Sequence, residues 1–231
     1  MQHLQKGLAT ATLALVFAAC SPAVVSEPAT AHEANGAAAS SNTVPNATSG
    51  TYRLERTHAS LTWKVMHKGL AKYTARFVDF DATLQFDAND PQKSTLEVSI
   101  DPTSVRTDYP TGKDYKFAQD EDFDAALAGK DWFNAPKFSA ITFTATGIER
   151  NGDNAGHVTG DLTFLGVTKS VTLDVVLNGA KSNPDKNTGA LGFSATTSFN
   201  RSEFGLTRYI PVIGDQIEIN LEVEFYLDNE S

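Results

Sequence analysis

The chain has 231 residues with 19 basic and 28 acidic side chains, a formal charge of −9, a single cysteine, and 41 % apolar against 20 % charged residues. That balance is ordinary for a globular protein and excludes both wholesale disorder and a multi-spanning membrane protein. An acidic surplus without basic clusters also excludes nucleic acid as a partner, because a phosphate backbone would repel it.

At the start of the chain, Lys6 precedes an uncharged run from Gly7 to Ala19. The run is too short for a ~30 Å hydrocarbon core, which takes about 20 residues, and fits the apolar centre of a secretory signal peptide over 1–19. Its end, Phe17-Ala18-Ala19-Cys20, resembles the bacterial lipoprotein box, with Phe17 where that box begins with Leu. The resemblance implies that Cys20 becomes an acylated N-terminus that anchors the protein to a membrane. Ser21 fits sorting to the outer membrane, on its periplasmic face. The alternative is a plain signal peptide cleaved after Ala19 or Ala31, releasing a soluble periplasmic protein. In either case the mature chain has no cysteine pair, so its stability comes from packing rather than a disulfide.

Residues 20–50 read as a lipidated N-terminus and flexible tether. Ala, Ser, Thr, Pro, Asn and Gly dominate, Val24, Val25 and Val44 are the only large aliphatics, and aromatics are absent. Such a segment buries too little to offset its ordering entropy, and a coil of that length spans roughly 30 Å r.m.s..

From Thr51 to the end the period is two. Apolar residues alternate with polar ones at Leu61/Trp63/Val65, Phe80/Ala82/Leu84/Phe86, Leu96/Val98/Ile100, Ile141/Phe143/Ala145, Val158/Leu162/Phe164 and Val171/Leu173/Val175/Leu177. The last run is the longest, Ile217, Ile219, Leu221, Val223, Phe225 and Leu227. Turn chemistry separates them: Asn89-Asp90-Pro91, Asn151-Gly152-Asp153, Leu165-Gly166 and Asn183-Pro184-Asp185. Strands apolar on one face only belong to an antiparallel sheet. One helix of about ten residues is expected between Pro110 and Pro136, with Asp120-Glu121-Asp122 in its first turn, Phe123 and Leu127 on one face, and Gly129 ending it. So short a helix cannot cover the sheet. The predicted fold is therefore all-β: a closed antiparallel β-barrel of about eight strands with one short helical insertion, wide enough inside for side chains or one slender ligand.

Several stretches in order resemble the YceI family of bacterial periplasmic proteins and lipoproteins. They are Leu61-Thr-Trp63-Lys-Val65-Met-His67-Lys-Gly69 with Arg76-Phe77 and Phe80, Val98-Ser-Ile100-Asp101 with Ser104-Val105-Arg106-Thr107, Trp132-Phe133 with Ile141-Thr142-Phe143, Gly160-Asp161-Leu162-Thr163 with Gly166-Val167-Thr168-Lys169, and Gly192-Phe193 with Arg201-Ser202-Glu203-Phe204-Gly205. The chain departs from the pattern at Ala75, at Lys113–Phe117, at Ser139 and in its longer 113–136 connection. Resemblance to this family implies a lipocalin-like barrel over 51–231 that holds a polyisoprenoid or similar amphiphile, such as a quinone, in its lumen. It implies no catalytic residue, and no cofactor beyond such a lipid.

A lumen of that kind needs apolar walls and few polar groups. On the dry parity these walls are Trp63, Val65, Phe143, Phe164 and Phe225, and the family-like stretches add Phe77 and Phe193. The alternative is that these residues only pack against one another. His67, at the end of its strand, is either a head-group contact at the mouth or a half-exposed histidine. Arg201 is read as paired with a carboxylate, with ligand contact as the alternative, since a bare guanidinium is costly to bury. Enzyme readings lack their residues: the mature chain has only His32, His58, His67 and His157, no thiolate beyond Cys20, and no G-x-S-x-G elbow. Two functions stay open, a tethered carrier or store of an isoprenoid lipid in the bacterial envelope, and a ligand-free envelope-stress or interaction protein acting through its surface. A homodimer is compatible with both.

Overall fold

The computed structural model describes residues 43–110, 122–183 and 188–229. The signal peptide, Cys20, the tether up to residue 42, the Asp120-Glu121 helix start, most of the 113–136 connection's first half and the Pro184-Asp185 turn lie outside the described residues. Among the described ones, ten strands form a single antiparallel sheet.

Eight of the strands make a ring. They are β1 (Gly50–His67), β3 (Phe80–Phe86), β4 (Thr95–Ile100), β6 (Ile141–Arg150), β7 (Ala155–Phe164), β8 (Val167–Asn183), β9 (Thr188–Asn200) and β10 (Ile213–Leu227), neighbours in that order. The ring closes where β10 pairs back onto β1, from Tyr52 opposite Leu227 to His67 opposite Ile213. Closure removes the exposed edges that a sheet of such long strands would otherwise present. The inward residues are those the alternation marked: Leu61, Trp63, Val65, Phe80, Ala82, Leu84, Phe86, Phe143, Leu162, Phe164 and Phe225 are all buried.

β1 serves two partner strands in turn. Its start, Gly50–Arg53, pairs with β3, and its end, Leu61–His67, pairs with β2 (Ala71–Phe77), which in turn holds the short β5 (Val105–Thr107). The change of partner coincides with a register break between Glu55 and Ser60. There the Glu55 carboxylate accepts from the Thr57 hydroxyl (2.7 Å) and the His58 N–H (3.0 Å). The Thr57 hydroxyl most of all, with His58, holds that carboxyl down at about 2. Between β7 and β8, Leu165 and Gly166 both take positive φ (51° and 76°), the mirror-image two-residue turn that matches the twist of these strands.

The helix, α1 (Phe123–Ala128), is shorter than expected. Asp122 is its cap rather than part of its first turn, accepting from the Ala125 N–H at 3.0 Å, because an Asp side chain satisfies an unpaired N-terminal donor best from just outside the helix. Gly129 ends it as expected. Asp124 fastens α1 to β5 by accepting from the Thr107 N–H (2.9 Å) and hydroxyl (2.6 Å). Residues 43–49 also differ from the tether reading that ran to residue 50. Val44 is buried, its N–H donates to the Ala88 carbonyl (2.8 Å), and the Tyr52 hydroxyl donates to the Thr48 carbonyl (2.8 Å). A lone valine among small polar residues is enough to seat this stretch because Ala88 and Pro91 offer it an apolar bed.

Candidate functional site

The barrel interior holds two chambers set end to end. The wide one, about 640 Å³, lies between the second half of β1, β2, the start of β10, α1 and the segment 129–138. The narrow one, about 180 Å³, lies between Leu54 of β1, β3, and Val223 and Phe225 of β10. Val98, Leu173 and Leu221 face both, so the chambers meet at those three side chains. β10 lines the pair from Ile213 to Phe225. At about 3.4 Å per residue and a tilt near 40°, that stretch gives a lumen roughly 30 Å long, about the thickness of a bilayer's hydrocarbon core.

The structure brings the sequence-read residues to these walls. Trp63, Val65, Phe77, Phe143 and Phe164 are buried on the wide chamber, and His67 stands exposed at its mouth. Phe193 and Phe225 line the narrow one, packed edge to face at 6.1 Å. Lining and packing coexist: Trp63 meets Phe133 edge-on at 6.0 Å, and Phe133 also touches Phe77 (5.4 Å) and Phe164 (6.0 Å). Phe133 thus bridges β1, β2 and β7 from the 129–138 segment and walls off one side of the wide chamber. Gly160 permits the tight fit of its neighbour, since a Cβ there would come within 2.8 Å of the Phe143 ring.

Sequence reasoning did not assign Tyr73, Phe123, Phe133, Phe199 or Tyr209 to the site, although all five line the wide chamber. Tyr73 carried a signal, because Tyr73, Ala75 and Phe77 share one parity. Phe123 and Phe133 belong to a connection without period, where nothing in the spacing tells inside from outside.

Arg201 departs from its expected pairing. The guanidinium is 2 % exposed and donates to four backbone carbonyls: Nε to Gly214 (2.8 Å), Nη1 to Leu206 (2.9 Å), and Nη2 to Arg208 (2.8 Å) and Ile213 (2.9 Å). The nearby carboxylate, Asp215, is instead engaged by the Ser202 N–H (2.9 Å) and hydroxyl (2.7 Å). A planar fork with five donors can satisfy carbonyls spread round a loop where a carboxylate would satisfy two N–H groups. Burial pushes the guanidinium pKa down and the Asp215 charge opposes that shift. Arg201 therefore pins the β9–β10 connection, residues 201–212, to the start of β10 as the rim of the wide chamber.

Among the described residues, no three His, Cys, Asp or Glu side chains converge to hold a metal ion. The Glu55/Thr57/His58 group lies exposed on the β1 bulge, and both Glu55 and Thr57 meet the same His58 nitrogen, Nδ1 (2.6 and 3.2 Å). A hydroxyl and a carboxylate on one ring nitrogen do not form a nucleophile–base–orienter chain.

Comparison with known proteins matches this fold. The model of the YceI-like domain family matches residues 52–225. A UPF0312 protein of Pseudomonas fluorescens is 33 % identical over 152 residues, 66 % of this chain and 73 % of that one. The crystal structure of the Campylobacter jejuni YceI protein superposes with a TM-score of 0.56 at 30 % identity, covering 70 % of this chain and 88 % of that one. A polyisoprenoid-binding domain from Saccharophagus degradans, implicated in plant cell wall breakdown, shares the fold at 15 % identity, with a TM-score of 0.55 over 78 % of this chain and the whole of its own.

Proposed function

Because the chain belongs to the YceI-like domain family, we propose that it binds a long isoprenoid-type lipid in its barrel lumen and carries or stores it in the bacterial envelope. The observation that carries this reading is the pair of aligned apolar chambers. A hydrocarbon-lined space of about 640 Å³ that opens at a mouth leaves apolar wall against water, and a tail displacing that water gains roughly 0.8 kcal/mol per methylene buried. Walls of that shape serve a guest rather than their own packing. The polyisoprenoid-binding domain of the same fold supports a prenyl chain as that guest.

The energetics favour a carrier. A lipid tail leaving a bilayer for this lumen exchanges one apolar surrounding for another, so transfer is close to balanced and reversible. The mouth supports exchange with a lipid surface. Beside His67, the side chains of Leu70, Tyr209 and Val212 are 84, 55 and 51 % exposed, held together by the Lys68 N–H bond to the Val212 carbonyl (2.7 Å). Lys68 and Arg208 flank them, and apolar tips edged by cations suit an anionic leaflet. In the test of this reading, the full chain is mixed with donor vesicles containing a polyprenyl quinone and with quinone-free acceptor vesicles. Protein-dependent transfer of the quinone, proportional to protein, supports the carrier. No acceleration over spontaneous exchange, with no quinone retained on the protein, contradicts it.

The N-terminal sequence supports the envelope as the setting, with Cys20 as the lipidated anchor. Cys20→Ala is expected to move the protein from the membrane pellet to the soluble fraction and to remove the acyl mass. A Cys20→Ala protein that stays membrane-bound would refute the anchor.

A further inference from the structure

Part of the narrow chamber's wall comes from residues that precede the matched domain, which begins at residue 52. Most of that chamber is walled by strands of the ring, but Val44 also lines it. Val44-Pro45-Asn46-Ala47 is a tight turn. The Ala47 N–H donates to the Val44 carbonyl (3.3 Å), proline occupies the second position, and Asn46 takes the positive φ (60°) that the third position of a type II turn requires. The turn is tied to the barrel from both sides: the Val44 N–H donates to the carbonyl of Ala88 (2.8 Å), two residues past the end of β3, and the Ala88 N–H donates to the Ser49 hydroxyl (2.8 Å). This is the end of the lumen away from the mouth, since β3 ends at Phe86 opposite Gly50, the first residue of β1, whereas His67 is its last. Val44 is buried while Thr43, Pro45 and Asn46 are exposed. One side chain therefore separates the chamber from solvent at this point. A valine that served only to seat the strap would need no open space before it, yet this one faces the chamber of about 180 Å³.

Resting on the carrier reading, we propose that the strap 43–49 is the floor of the lumen and that Val44 meets the end of the lipid tail, so that this residue sets the longest tail held wholly inside. A valine suits the place, because its stiff, branched side chain turns two methyl groups to a hydrocarbon end and has little rotamer freedom with which to give way. The strap is held by a few hydrogen bonds where the ring strands have full ladders, so it opens locally more readily than they do. A tail that reaches Val44 adds apolar contact to the strap and holds it closed. A tail too short to pass Val98, Leu173 and Leu221 stays in the wide chamber and leaves the strap as it was.

The test uses the full chain and a graded series of prenyl alcohols, read by hydrogen exchange of the 43–49 segment and by calorimetry. Homologues long enough to fill the narrow chamber are expected to slow exchange of the Val44 amide about tenfold, while homologues confined to the wide chamber leave it unchanged. In Val44→Trp, whose indole occupies the end of the chamber, affinity should level off about one isoprene unit earlier than in the unaltered protein. The longest homologue that the unaltered protein holds should then bind on the order of tenfold weaker, with short homologues unaffected. Exchange at Val44 that is the same with long and short homologues bound overturns the floor and leaves the carrier reading standing, and it is read on the unaltered protein, whatever the variant's stability. A Val44→Trp protein in which every homologue weakens alike, the short ones included, overturns the assignment of length selection to this residue. Binding of none of the alcohols overturns the floor together with the carrier reading.

Discussion

Replacing Arg201 by methionine is expected to lower the unfolding free energy by about 3–5 kcal/mol. The aliphatic stem is kept, but the carbonyls of Leu206, Arg208, Ile213 and Gly214 lose their donor together. A domain of this kind is stable by about 5–15 kcal/mol, so the loss is a large share of the total. Arg201→Lys should recover only part of it, because one ammonium cannot point at four carbonyls spread from 206 to 214. The check is urea unfolding of both variants, in which the midpoint falls while the slope is retained. The effect should reach function as well. Tyr209, on the same connection, and Ile213, at the start of β10, line the wide chamber, so a loosened rim weakens lipid retention. A methionine variant as stable as the unaltered protein would show that the carbonyl cage does not hold the rim.

Leu221→Trp is expected to shorten the lipid the barrel accepts. Leu221 stands where the two chambers meet, opposite Leu61 on β1 and Ala195 on β9, and an indole there would plug the passage. At roughly 0.8 kcal/mol per methylene, excluding even four tail carbons costs about 3 kcal/mol, on the order of a hundredfold in affinity. A prenyl alcohol short enough to stay in the wide chamber should bind as before, while affinity for longer homologues stops rising. Overpacking costs about 1–3 kcal/mol of stability, and Leu173→Phe narrows the same passage from β8 with less added volume. Affinities of a graded series of prenyl alcohols decide the matter. An unchanged chain-length profile in both variants would mean that the tail does not enter the narrow chamber.

The barrel was legible because its signal is periodic. From Leu61 to Phe225 the inward parity read from alternation is, Ala145 and Val171 apart, the parity that lines the lumen, and closure followed from a sheet too large for one short helix to cover. β2 and β9 were harder to read. Ala75 and Ala195 sit on their inward faces where larger residues would have marked the period, yet Phe77 and Phe193 still identified the walls. The carbonyl cage of Arg201 could not be read, because its partners are backbone oxygens placed by a loop and no side-chain identity announces them. The diagonal ring contact of Trp63 with Tyr73 depends on the β1–β2 register, which follows from the turn at 68–70 rather than from either residue alone. Phe133 entered the lumen from a connection whose spacing carries no information about facing.

The most direct test is to purify the full chain from its native envelope in mild detergent, measure its intact mass under native conditions, and extract it with solvent. The account predicts a discrete bound mass in stoichiometric amount, lost on denaturation, that fragments as a prenyl compound. A protein that is bare as isolated and stays bare after incubation with prenyl quinones would contradict it, leaving the aromatic walls as core and the surface as the seat of function.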